Sequence, residues 1–162
     1  RECLICLKKY PFEIVVTDTG SEDDSVSVAK EYTNKVFFYE WSNDFSAARN
    51  YCVAQATNDM VMIVDTDEFV QDFDWNRLCV VVEKNCDKVG RINLNNIYRR
   101  DGVLSSTNEK LSRIFDRRLY TYTGSVHEQI ILFITILKNY PNVGIFKSFK
   151  HVVCIVLELC FG

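Results

Sequence analysis

The sequence predicts an α/β layered domain, and three observations carry that reading. Two short apolar, β-branched runs, FEIVVT at 12–17 and MVMIV at 60–64, have the look of fully buried strands. Stretches with helical apolar spacing alternate with them. The chain has 162 residues, 48% hydrophobic and 25% charged, enough for one well-buried core and too few for two domains. The same composition excludes a disordered or collagen-like chain. A net charge of -3 argues against charge-driven nucleic-acid binding. No run of 18 apolar residues predicts a spanning helix, and residues 1–20 lack the order of a signal peptide.

Taken in order, residues 1–9 read as a helix with Cys3, Leu4, Cys6 and Leu7 inward, ended by Pro11. The strand at 12–17 follows. Ser21 with Asp24 is read as a capping box opening a helix over 23–32. Residues 35–41 give the next strand. Asn43 or Asp44 caps a helix over 45–56, with Phe45, Ala48 and Cys52 on one face. The strand at 60–64 runs into Asp65-Thr66-Asp67-Glu68, and Asp72 or Asp74 caps a helix through about residue 84. Residues 89–94 alternate apolar and polar, as a half-exposed strand does. Residues 101–109 are read as a polar loop. Residues 111–116 and 119–123 are read as strands pairing with each other, and Gly124 breaks the pattern before His127-Glu128. The apolar runs beyond Gln129 fit strand or helix equally.

Seven cysteines is an odd number, and most lie in apolar, periodic surroundings, which points to a reducing compartment. Cys3 and Cys6 form a CxxC without a second pair at zinc-finger spacing, so core thiols on a helix face are the preferred reading over a metal or redox site.

Chemistry concentrates where acids follow apolar strands: Asp18 after FEIVVT, and Asp65, Asp67 and Glu68 after MVMIV. In open α/β sheets, ligands bind in the crevice at the carboxyl ends of strands. Clustered carboxylates repel, and a divalent cation with oxygen ligands compensates them. An acidic turn that merely caps the next helix is the competing reading. Arg49 and Asn50, one turn into the 45–56 helix, could reach a phosphate or hydrogen-bond the DTDE turn; an amphipathic helix with a surface arginine is the competing reading. His127 can ligate a metal such as Mn, and Glu128 can act as a general base. A half-buried structural imidazole competes evenly for His127, and is favoured for His151. Among Arg99, Arg100, Arg113, Arg117 and Arg118, plain surface charge is favoured for all but Arg113, which sits inside a strand pattern.

Four strings in order, EIVVTDTGSEDDSVSVAKEY, FFYEWSNDFSAARNYCVAQATNDMVMIVDTDE, LSRIFDRR and YTGSVHEQI, resemble the family 2 glycosyltransferases. The resemblance spans about residues 1–130 and is strongest to the bacterial branch whose catalytic domain is often followed by helical repeats. It implies a GT-A fold, a mixed, mostly parallel sheet between helices in three layers. It implies transfer from a nucleotide-diphosphate sugar, a UDP-sugar or similar, with Mn or Mg, to a glycan, lipid or protein acceptor hydroxyl with inversion. By position, Asp18 would meet the nucleobase, and Asp65 the ribose or metal. Asp67 would ligate the metal, and Arg49 would hold the donor or the DTDE turn. Glu128 stands where such enzymes carry the base, with His127 beside it, and His151 falls where the family has a late metal-approaching His.

Two departures stand out. The family's opening strand with an Asn-Glu pair is missing ahead of Arg1-Glu2, and Val152-Val153 follow His151 where Gly-Tyr is usual. Both ends therefore read like cuts, making 1–162 a single partial catalytic domain. The apolar stretch 152–161 would then be a surface for further chain or for a second copy in a homodimer. A cytoplasmic placing, at or away from the inner face of the membrane, follows. The rival classes fit less well. A haloacid-dehalogenase-like phosphatase requires Thr or Val where Phe69 stands, and a nucleotidyltransferase would have a basic, Gly-rich loop where DTGSEDD is acidic. A domain that keeps the fold and serves only nucleotide binding or assembly is the remaining alternative.

Overall fold

The computed structural model describes residues 1–132, apart from residues 72 and 101 and the Arg100 side chain; His151 and the apolar stretch 152–161 lie outside the described residues. The elements are α1 (Glu2–Leu7), β1 (Val16–Asp18), α2 (Ser25–Lys30), β2 (Val36–Phe38), α3 (Phe45–Ala54), β3 (Met60–Met62), α4 (Trp75–Lys84), β4 (Gly90–Arg100), β5 (Val103–Asp116), β6 (Tyr120–Thr123) and β7 (Gln129–Leu132). This is the expected α/β alternation.

The strands separate two apolar cores, and the two-residue period of extended chain explains why. Ile14, Val16, Met60, Met62 and Val64 turn one way and pack with Cys3, Leu4 and Leu7 of α1, Ala29 of α2 and Val82 of α4. The intervening Val15, Val61 and Ile63 turn the other way and pack with Cys52 and Val53 of α3, Ala56, Phe115 and Tyr122. Continuous apolar runs are needed because both faces are covered. The result is the three-layer arrangement.

The pairing is mixed, with less parallel character than expected: among the described strands, β1 and β2 pair in parallel, while β3–β5, β4–β5 and β6–β7 are antiparallel. Two expectations fail together. Residues 103–109 are strand, not loop: β4 and β5 form one long hairpin closed at Gly102, whose φ of +80° a glycine adopts without strain. Residues 111–116 do not pair with 119–123. At Ile114 both edges of β5 are already taken, by Gly90 on one side and Met62 on the other, so β6 pairs with β7 instead.

Two caps follow the expected residues. The Asp44 and Asp74 carboxylates accept from Ala47 N and Arg77 N, each at 3.0 Å or less. The capping box at Ser21 does not form: α2 starts after Asp24, Asp23 accepts from Ser25 N, and Ser21 N instead donates to Asp18 Oδ1 at 3.0 Å.

The cysteines Cys3 and Cys6 are free. Burial pushes the Cys3 thiol up to about 12, so it is a neutral core group, as expected.

Candidate active site

The apolar strand β3 delivers the DTDE turn to the sheet edge, and the turn closes on itself. Glu68 N donates to the Asp65 carbonyl at 3.0 Å, and Asp65 N donates back to Glu68 Oε2 at 3.0 Å. Packing from behind fixes its depth: Cys3 Sγ of α1 lies 3.8 Å from the Asp65 carbonyl oxygen.

Two arginines neutralise this turn. Arg113 of β5 donates from Nη2 to Asp65 Oδ2 at 2.7 Å and to Glu68 Oε1 at 2.8 Å. Arg49 of α3 donates from Nη2 to Asp65 Oδ1 at 3.1 Å and lies 2.9 Å from Glu128 Oε1. One carboxylate, Asp65, is thus held on both oxygens by guanidinium groups from two different elements, with Glu128 joined through one of them. Burial would lower the charge of Arg113, but its bond to Asp65 and the carboxylates around it outweigh that and raise its pKa. Glu68 moves up as well: burial, reinforced by Asp65 and Asp67, outweighs the help of Arg113.

The turn carrying Glu128 is pinned to α3. Ser46 Oγ donates to the Gly124 carbonyl at 2.7 Å, and Phe45 N donates to the Ser125 carbonyl at 3.1 Å. The Asn50 amide bonds Tyr122 on both sides, accepting from its N–H at 3.0 Å and donating to its carbonyl at 2.9 Å. Gly124 (φ +98°) and His127 (φ +58°) bend the chain so that Glu128 turns inward. His127 is solvent-exposed. Arg49 lies over the buried Tyr122 ring at 5.4 Å, and burial pushes the Tyr122 phenol up to about 12.

Asp18 ends β1, buried, with one oxygen taken by Ser21 N. Asp67 is exposed on the wall of an open cleft of about 980 Å³ that Asp65, Glu68 and Arg113 also line. Arg118 brackets Asp116 and Asp59, Arg117 Nε donates to the Asn58 carbonyl, and Arg99 is exposed. Asn50, expected at a phosphate or the DTDE turn, instead bonds Tyr122 and Thr121; the organising contributions of Ser46 and Tyr122 were not read from the sequence, where they are polar or aromatic positions of an amphipathic pattern.

Among the described residues, no three His, Cys, Asp or Glu side chains converge as a ready-made metal cage. That still fits Mg or Mn, which commonly takes one or two carboxylates and completes its shell with water and substrate phosphates. Asp67 is the carboxylate left open to such an ion, since Asp65 and Glu68 are engaged by arginine.

Residues 1–138 match the family described as Glycosyl transferase family 2. The chain belongs to this family. It has the GT-A-type α/β fold that membership entails. A TPR repeat-containing protein of Synechococcus elongatus is 40% identical over 76 residues, covering 47% of this chain and 19% of that protein. The SPbeta prophage-derived glycosyltransferase SunS of Bacillus subtilis is 38% identical over 69 residues, 41% of this chain and 16% of SunS. The hyaluronan synthase of Pasteurella multocida is 38% identical over 71 residues, 40% of this chain and 7% of the synthase. The chain thus spans only a small share of the length of these relatives. No helix among its described residues is long and apolar enough to cross a membrane.

Proposed function

We propose that the chain moves a sugar from a nucleotide-diphosphate sugar, a UDP-sugar or similar, to an acceptor hydroxyl in one inverting, metal-dependent step. The observation that carries this is the shared guanidinium. Arg49 Nη2 holds Asp65 Oδ1 at 3.1 Å and Glu128 Oε1 at 2.9 Å, so the donor-binding turn and the base are set by a single side chain. Family membership and the transferases SunS and hyaluronan synthase among the relatives support the same reading.

In this reading Asp18 receives the nucleobase and Asp65 the ribose side of the donor. Asp67 is the metal ligand, joined by His151, with His127 flanking the base. A bound Mn or Mg supplies positive charge to the departing nucleoside diphosphate. Glu128 takes the proton as the acceptor oxygen attacks the anomeric carbon. The bond from that carbon to the diphosphate oxygen breaks, and the diphosphate leaves with its electron pair. Attack opposite the leaving group inverts the configuration. The cysteine usage supports a cytoplasmic site of action.

Calorimetry with UDP and Mn tests the donor half: binding should need the metal, and Asp67→Ala should remove that dependence. Glu128→Gln should leave nucleotide affinity intact while lowering kcat about 10²–10⁴-fold. NMR of the product tests the stereochemistry, and a retained anomeric configuration would exclude the single displacement.

A further inference from the structure

The cleft beside the DTDE turn has an outer half that the proposed chemistry does not use. Its inner end is the charged group Asp65, Asp67, Glu68 and Arg113; further out its lining is amide and apolar, from the 69–73 segment on one wall and β4 on the other. Resting on the transfer reading above, we propose that this outer half is the acceptor site and that it takes a neutral carbohydrate, a pyranoside.

The two walls are built differently from a core. Phe73 is anchored, its ring 5.1 Å from Tyr10 and 5.6 Å from Phe12, which fixes the segment against the lead-in to β1. Phe69, on the same segment, stays 50% exposed, and Tyr98 on the opposite wall 43% exposed. Large rings left in water on two sides of one cleft are a stacking surface in wait of a partner. Between them β4 contributes amides. Asn96 Nδ2 donates to Glu109 Oε1 at 3.3 Å, which orients the amide and leaves its carbonyl oxygen for a donor such as a sugar hydroxyl.

A pyranose offers what these walls lack, C–H faces for the rings and hydroxyls for the amides. Polarity selects against a lipid: an acyl chain would strand the amides without hydrogen bonds. The cleft as a whole encloses about 980 Å³, within the usual range of ligand pockets, and its outer half has room for a sugar ring. A ligand there abuts the charged end that holds Asp65, the carboxylate that Arg49 shares with Glu128, so its hydroxyl lies on the side of the reacting centre.

Saturation-transfer NMR on the 162-residue chain tests this with three probes: methyl β-glucoside, methyl β-galactoside and methyl N-acetyl-β-glucosaminide. At least one should receive saturation at its ring C–H protons. The exposed-ring pair Phe69→Ala with Tyr98→Ala, and separately Asn96→Ala, should weaken it tenfold or more, with dispersed methyl signals showing the variants folded. UDP affinity, measured in parallel, should not change in these variants. No transfer to any probe while UDP still binds overturns the acceptor site and leaves the transferase reading standing. A loss of UDP affinity in the ring variants, or saturation of a serine tripeptide in place of the sugars, also overturns it. Loss of UDP binding in the unaltered chain counts against the transferase reading itself, and sugar binding that persists there still places a carbohydrate in the cleft.

Discussion

Arg113 shows how a single side chain decides whether an acidic turn is a site or a liability. Its guanidinium is buried and bonded to two carboxylates, Asp65 and Glu68, that would otherwise repel at close range. Arg113→Leu should destabilise the fold by about 3 kcal/mol in denaturant unfolding, because it leaves the partly buried Glu68 uncompensated and Asp65 held by Arg49 alone. Arg113→Lys should recover only part of that, since the lysine ammonium ends one bond short of the Nη2 position that bonds both carboxylates. Away from the site, Glu13 works as a one-residue clamp. It takes the Lys35 ammonium and accepts from Thr57 N at 3.0 Å and Asn58 N at 3.2 Å. Burial pushes its carboxyl up, but these hydrogen bonds and the Lys35 charge outweigh it and hold it below the usual range. A depressed carboxylate stabilises the fold fully above its unfolded pKa, about 4.3, and loses that contribution as pH falls through the lower folded value. Unfolding free energy followed from pH 7 into the acid range should therefore fall less steeply in Glu13→Gln; equal slopes in the two proteins would refute the clamp.

At the scale of the element, the segment from β6 to β7 is a presentation device for Glu128. Gly124 sits at φ +98°, where a Cβ is strained even though it would meet the backbone of Val126, His127 and Glu128 only at an ordinary 3.7 Å. Gly124→Ala should cost about 1–2 kcal/mol. It should also lower kcat more than it weakens nucleotide binding, because the shift moves Glu128, the proposed base, and not the DTDE turn; a steady-state comparison with a UDP titration separates the two effects. Elements also show where sequence reading succeeds. The runs at 12–17 and 60–64 are legible because burial on both faces demands unbroken apolar residues, and Asp44 and Asp74 are legible because helix caps act locally. The long hairpin was missed because its distal half has no buried face, so DGVLSSTNE carries no alternation; Asp101-Gly102 between extended runs was the available signal. The β6–β7 pairing is a tertiary outcome, decided by β5 having no free edge at Ile114. At the site, Arg113 stood out as a charge inside an apolar strand, whereas the joint grip of Arg49 on Asp65 and Glu128 joins residues 79 positions apart, as only the fold can.

For the whole molecule, the two cores on opposite faces of the sheet make the site a joint product of both. α1 backs the DTDE turn from one face, and α3 supplies Arg49 and holds Glu128 from the other. A ligand that bridges the turn and the sheet edge therefore ties together parts of the chain that unfold from different layers. Any ligand that binds only the folded state adds RT ln(1 + [L]/Kd), about 2.7 kcal/mol at a hundredfold excess over Kd. For a chain of this length that corresponds to roughly 5–10 °C in Tm. UDP with Mn should produce such a shift in a thermal scan, and chelation of the Mn should remove most of it. Asp67→Ala should abolish the Mn-dependent part without lowering the Tm of the free protein, because Asp67 is exposed and holds no part of the core. Asp65→Ala should behave differently, lowering the Tm of the free protein as well, since it takes one carboxylate partner from each of the buried Arg49 and Arg113. Equal behaviour of the two variants would mean that Asp67 is as structural as Asp65, and the metal would then need another ligand.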